Sequence, residues 1–205
     1  GYIYDANGSF LESTTVSENI KGVTVNKSSS GTGWQPTDVT WPGASYKATF
    51  YAIAPADAVT PSADAGGPTF TYTVPQSASE QKDLLVSKCE NVSCDGKSAP
   101  TLTFNHALAA IKFAQGTITP YTSITKVEIT GVYSNGTYNM NNDSWTTTTT
   151  STDNYSISST DDVLFLMPQT LPSGAQLKVT LSNGSTTKVL TSDLSNKEWK
   201  NGNQY

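Results

Sequence analysis

The chain holds one histidine, His106, set in the stretch Thr103-Phe104-Asn105-His106-Ala107-Leu108-Ala109-Ala110-Ile111-Lys112-Phe113. Histidine is the side chain best suited to acid-base chemistry and metal binding near neutral pH. A Ser-His-Asp or Cys-His device would have to be built around it. No G-x-S-x-G elbow or other nucleophile context accompanies it, and the two cysteines lie 12 or more residues upstream. A catalytic imidazole also needs an orienting partner, which the surrounding sequence does not supply. The sequence therefore predicts that His106 closes one strand or begins the next, its ring hydrogen-bonded to nearby backbone. Phe104, Leu108, Ile111 and Phe113 are expected to face the core, and no catalytic residue is assigned.

The cysteines form Cys89-Glu90-Asn91-Val92-Ser93-Cys94, a C-x4-C pair with no second pair and no neighbouring histidine. A structural zinc would need about four ligands, so no metal is expected. In an oxidising compartment Cys89 and Cys94 would close a small disulfide loop; in a reducing one they would be two inert thiols. Glycoside hydrolysis needs only two carboxyl groups at a fixed separation. However, Asp143, Asp153, Asp161 and Asp162 lie in polar, turn-like sequence, where carboxylates act as solvated turn formers. Asn141-Asn142-Asp143 lacks the remainder of a calcium-loop pattern. No cofactor is implied.

Four tryptophans remain, Trp34, Trp41, Trp145 and Trp199. Large aromatics usually fill cores, and Trp41 and Trp199 lie beside expected strands. The alternative is a sugar platform built on Trp34 and Trp145, which requires two or more indoles exposed on one face.

Composition narrows the host of these residues. Every one of the 12 basic residues is lysine, against 17 acidic residues and a net charge of -5. That excludes guanidinium clamps and argues against a nucleic-acid partner. Serine and threonine supply 56 of the 205 residues while charged residues are only 14%, the surface of a secreted or displayed β-protein rather than a cytoplasmic enzyme. Seven N-x-[ST] triplets arise as a by-product of this composition. No apolar run approaches the ~20 residues that span a bilayer.

Strand signals dominate. Residues 48–53, 69–74 and 101–104 alternate small or polar with large apolar side chains between Pro and Gly punctuation. Residues 126–133 lead through Asn135-Gly136 into 137–140, which predicts a tight hairpin, and Asn183-Gly184 predicts a second between 176–181 and 186–190. Val163 to Met167, stopped by Pro168, reads as a buried strand, and Trp145 to Asn154 as a loop or exposed edge strand. The best helical stretch, Ser79 to Val86, is one or two turns at most. An all-β protein follows, with one or, fitting the strand count better, two β-sandwich domains. The seam falls at Gln115 to Tyr121, which divides the chain into 1–118 and 119–205.

Five segments in order resemble the fimbrillin-like proteins of Bacteroidales, the subunits and associated adhesins of type V pili. They are Trp41-Pro42 with Phe50-Tyr51-Ala52-Ile53-Ala54-Pro55; Gln81 to Val86; Leu102-Thr103-Phe104-Asn105-His106-Ala107-Leu108; Met167-Pro168-Gln169-Thr170-Leu171; and Trp199-Lys200-Asn201-Gly202-Asn203-Gln204-Tyr205. The resemblance implies two sandwiches of transthyretin-like, Greek-key topology, exported as a lipoprotein to the outer surface. It implies non-enzymatic assembly with other pilus subunits by strand exchange, and adhesion to host or bacterial surface ligands, glycans among them. The physics of such assembly is β-augmentation. Two features depart from the pattern. Maturation in the family cuts after arginine, and this chain has none; and the W-x-x-G-x-x-Y segment ends the chain where the family continues into a further strand, so the donor strand is expected to be missing. The alternative is a secreted carbohydrate-binding module.

Overall fold

The computed structural model describes residues 2–5, 7, 22–29, 33–36, 39–62, 66–97, 99–149 and 151–205. Every regular element among them is a strand except for one 3-10 turn, Ala78–Glu80, which is all that forms of the expected helix. Leu85 already begins a long strand.

Three larger sheets carry the fold. The first places β1 (Tyr2–Tyr4), β4 (Lys47–Ala54), β6 (Leu85–Ser93) and β7 (Asn105–His106) in that order; β2 (Val25–Lys27) and β3 (Trp34–Pro36) form a separate hairpin. A second sheet pairs β5 (Thr69–Thr73) with β10 (Asn135–Asn139), and β10 in turn with β11 (Ser144–Thr147). The third, in the order β12-β9-β15-β16, takes β9 (Ser123–Val132), β12 (Asp153–Ile157), β15 (Gln176–Ser182) and β16 (Thr187–Asp193). Two short pairs complete it: β8 (Ala109–Ile111) with β13 (Leu164–Leu166), and β14 (Gln169–Thr170) with β17 (Glu198–Trp199).

Period-two alternation explains the second sheet. Phe70, Tyr72 and Val74 are buried while Thr71 and Thr73 are exposed, and Tyr138 of β10 and Met140 just beyond it answer them. Tyr138 lies directly across from Phe70 on one side and Trp145 on the other. The three rings touch at centroid distances of 5.0 to 5.7 Å, the range in which aromatic pairs add to simple burial.

Residues 112–122, where the division at 118/119 is expected, contain no strand. Yet β5 pairs with β10 and β8 with β13 across it, and the main core draws residues such as Phe70, Leu84 and Leu108 together with Ile129, Tyr155 and Leu166. A smaller cluster of Ala48 and Cys94, flanked by Trp41 and Phe50, sits apart from that core.

The first expected hairpin does not form. β9 and β10 belong to different sheets, so Tyr133 and Ser134 carry the chain from one sheet to the other, and Asn135-Gly136 opens β10 instead of making a turn. Gly136 meets a packing demand. A Cβ there would stand 3.1 Å from Met167 Sδ, Thr146 O and Trp145 Cε3. The second hairpin forms as read, with Gly184 at φ +87 in its loop, a backbone that glycine adopts without steric cost.

Candidate functional site

The opening stretch is displaced by a few residues from its expected form. Residues 101–104 are not a strand, and pairing starts at Asn105–His106 against Val86 and Leu85. Phe104 consequently points outward, 42% exposed, whereas Ala107, Leu108 and Ile111 are buried and Phe113 packs partly on the core. The His106 ring is exposed, and its Nδ1–H donates to the Asp83 carboxylate at 2.8 Å instead of to backbone. The chain thus supplies an imidazole with an orienting carboxylate, 23 residues away in sequence. Among the described residues the ring's side-chain partner is this carboxylate.

The other predicted residues are scattered. Cys89 is half-buried on β6, Cys94 is fully buried beside Ala48, and both are free thiols. Burial pushes the Cys94 thiol up, away from reactive thiolate, with Asp95 adding to the effect. Asp143 accepts the buried Tyr138 hydroxyl and Asp153 accepts the Gln76 amide. The Asn141-Asn142-Asp143 turn folds on itself through Asn139 Oδ1 and Ser144 Oγ. Asp161 and Asp162 line a wide, serine-rich cleft with Gln76 and Ser156. Trp34 stands out on the β2–β3 hairpin, 68% exposed. Trp145 does not join it: its indole N–H donates to Ala107 O at 2.6 Å and its ring packs on Phe70 and Tyr138. With Trp41 against Phe50 and Trp199 buried, the described residues offer one exposed indole, not a platform.

Sheet edges hold the available chemistry. An unpaired edge presents main-chain donors and acceptors to any strand that can reach it, and proteins usually blunt such edges. Most edges here are blunted. β1, β2, β3, β7, β14 and β17 are two or three residues long. Ser62 binds the first residue of β5 through both main chain and hydroxyl. β11 is tied down where Thr147 Oγ1 donates to Pro168 O. β12 carries a bulge at Asp153/Asn154 and a parallel bridge from Ser77 to Ser156. On β13 the Phe165 N–H donates to the Gln81 side chain, and beyond β8 the Ala110 N–H and C=O are taken by Asn203 and Tyr205.

β16 is a long, regular open edge among the described residues. It runs seven residues, pairs with β15 from Gln176↔Asp193 to Ser182↔Thr187 without a register shift, and contains no proline. All seven residues are exposed, including Val189 at 56% and Leu190 at 45%. Its main-chain polarity is fixed by the bonds that flank the hairpin. Asn183 N donates to Thr186 O, and Leu194 N to Ala175 O, so the even-numbered residues face β15. Antiparallel alternation then turns the N–H and C=O groups of Thr187, Val189, Thr191 and Asp193 toward the open side. On the inner face Leu190 lies across from Val179, which with Leu177 is only partly covered by the core. The edge escapes simple pattern reading because Val189 and Leu190 are adjacent. Adjacent strand residues point to opposite faces, so the pair gives no single buried face from which the strand's place in the sheet could be read.

Residues 2–205 match the model of the fimbrillin-like family. The chain belongs to the fimbrillin-like family. Solved structures similar to this fimbrillin-like chain include one described as a candidate cell adhesion protein of Bacteroides uniformis, with TM-score 0.62 and 17% identity over 99% of this chain and 81% of that one. Another candidate cell adhesion protein, from Bacteroides thetaiotaomicron, gives TM-score 0.52 and 18% identity over 98% and 82% of the two chains. A third, from Bacteroides ovatus, gives 0.53 and 19% over 94% and 66%. These likenesses establish the all-β fold. A comparison with curated protein sequences finds no match.

Proposed function

We propose that the chain is a non-enzymatic structural or adhesive subunit of cell-surface fimbriae, which joins other subunits by β-strand addition at the free edge of β16. The observation that carries this reading is the length, unbroken register and full exposure of β16. Among the described residues β16 is unpaired along its whole outer side, and its seven exposed residues offer four outward-facing main-chain positions. Main-chain bonds give such an addition its affinity and alternate side chains its specificity. Family membership supports the fimbrial role, and the adhesion names carried by the similar structures support a surface location. The hydroxyl-rich, charge-poor composition is consistent with that location. No described helix is long and apolar enough to cross a membrane.

The test is Val189→Pro. Proline removes the N–H that faces outward, a position where edge strands tolerate it, and leaves the β15–β16 ladder intact. The variant should fold with unchanged circular dichroism, while its recovery in fibres sheared from the surface of the native host falls by about tenfold or more, the equivalent of ~1.4 kcal/mol. Full recovery in fibres would count against strand addition at β16.

A further inference from the structure

We infer that the occupant of the β16 edge is β16 of a second copy of this chain, paired antiparallel and centred on Leu190. This rests on the reading of β16 as the pairing edge and names its partner.

The argument is one of register. With the odd residues facing outward, a two-fold axis perpendicular to the sheet allows only centres that match odd with odd positions, and these are the residues of β16 themselves. Centred on Leu190, Thr187 meets Asp193 of the second copy, Val189 meets Thr191, and the symmetric pairs repeat. All four outward positions of each strand are then used, giving about eight main-chain hydrogen bonds. A centre on Val189 or Thr191 leaves one outward residue of each strand unpaired within β16 and makes about six.

The side chains select the same register. Leu190 falls opposite Leu190 in a non-hydrogen-bonded pair, where side chains approach closest, and joins the partly covered stripe of Leu177 and Val179 to its counterpart. Lys188 falls opposite Ser192, and Asp193 opposite Thr187. The strand contributes one positive and one negative charge, so no like charges are opposed although the whole chain carries -5. The two four-stranded sheets become one continuous sheet. Such a contact is isologous and closes on two copies, so the fibre takes up paired subunits and its lengthwise growth uses another contact of the pair.

Cysteine cross-linking of the full chain tests this. A non-hydrogen-bonded antiparallel pair brings Cα atoms to about 4.5 Å, within the range a disulfide spans. Under mild oxidation Leu190→Cys should form covalent dimers about tenfold faster than Val189→Cys, whose two copies are offset along the strands, and faster than the parent chain with its native Cys89 and Cys94. Adding Val189→Pro to Leu190→Cys should abolish the cross-link while circular dichroism stays unchanged. Equal rates for Leu190→Cys and Val189→Cys would overturn the self-pairing. If Val189→Pro still lowers fibre recovery in that case, strand addition at β16 stands with a different partner; if recovery is also unchanged, both readings fail.

Discussion

Gln169, from the Met167-Pro168-Gln169-Thr170-Leu171 segment, is the polar residue on which the sheet-to-sheet crossing depends. Its side chain is 7% exposed. The amide nitrogen donates to Tyr133 O and Met167 O, and the amide oxygen accepts from Tyr133 N, each at 2.9 Å. Gln169→Leu keeps the volume and removes all three bonds. Met167 is fully buried, so its carbonyl is left without a partner; Tyr133 is half-buried and recovers part of its hydration. At about 1–3 kcal/mol for each orphaned buried group, the loss should be about 3–5 kcal/mol. That is a large part of the ~5–15 kcal/mol that holds a domain together. For a chain of this size it corresponds to a fall in melting temperature of roughly 6–20 °C. Urea unfolding followed by tryptophan fluorescence measures it, with exposed Thr170→Ala as the neighbour expected within about 0.5 kcal/mol of the parent. A loss below about 1 kcal/mol for Gln169→Leu would refute the view that this amide staples the two sheets.

The buried tyrosines give a pH dependence with a definite sign. Burial raises the hydroxyl pKa of both Tyr138 and Tyr155, with Asp143 and Asp153 adding to the effect. The fold therefore favours the protonated form. Their stabilising contribution is complete below the unfolded value of about 10 and is lost as pH rises beyond it. Denaturant midpoints should fall above about pH 10, with tyrosinate absorbance appearing together with unfolding; early ionisation of both rings in a folded chain would contradict their burial. Among the indoles, Trp145→Ala should cost about 3–5 kcal/mol by opening the Phe70–Tyr138 row and freeing Ala107 O. Trp34→Ala should change stability by no more than about 0.5 kcal/mol, both read from thermal melts.

The two Asn-Gly pairs show where local sequence stops determining structure. Asn183-Gly184 and Asn135-Gly136 carry the same turn signal between strand-like flanks. At the first the strands on either side pair with each other, and Gly184 takes the positive φ that the signal anticipates. At the second the choice was made by residues far along the chain. Phe70 and Trp145 recruit Tyr138 to another sheet, and Met167 and Trp145 press so near Gly136 that a side chain has no room. Alternation reports which face of a strand is buried, and it did so for Phe70, Tyr72, Leu108 and Ile111. It does not report the neighbour, so it missed both the split of β9 from β10 and the open side of β16.

The segments that carry the family resemblance acquire a physical meaning from the same distinction. Gln169 ties Tyr133 at the crossing between two sheets, and Ala107, next to His106, accepts the indole N–H of Trp145 from β11. Trp199 pairs across from Gln169, Gly202 N donates to Leu108 O, and the Tyr205 hydroxyl accepts from Lys200 N. Several signature residues thus bond to main chain from another part of the sequence. A motif that fixes crossings constrains topology and leaves the outer strands free to vary. The one histidine fits this pattern, since it is held by the half-buried carboxylate of Asp83, and β16, the edge proposed for pairing, carries no signature residue.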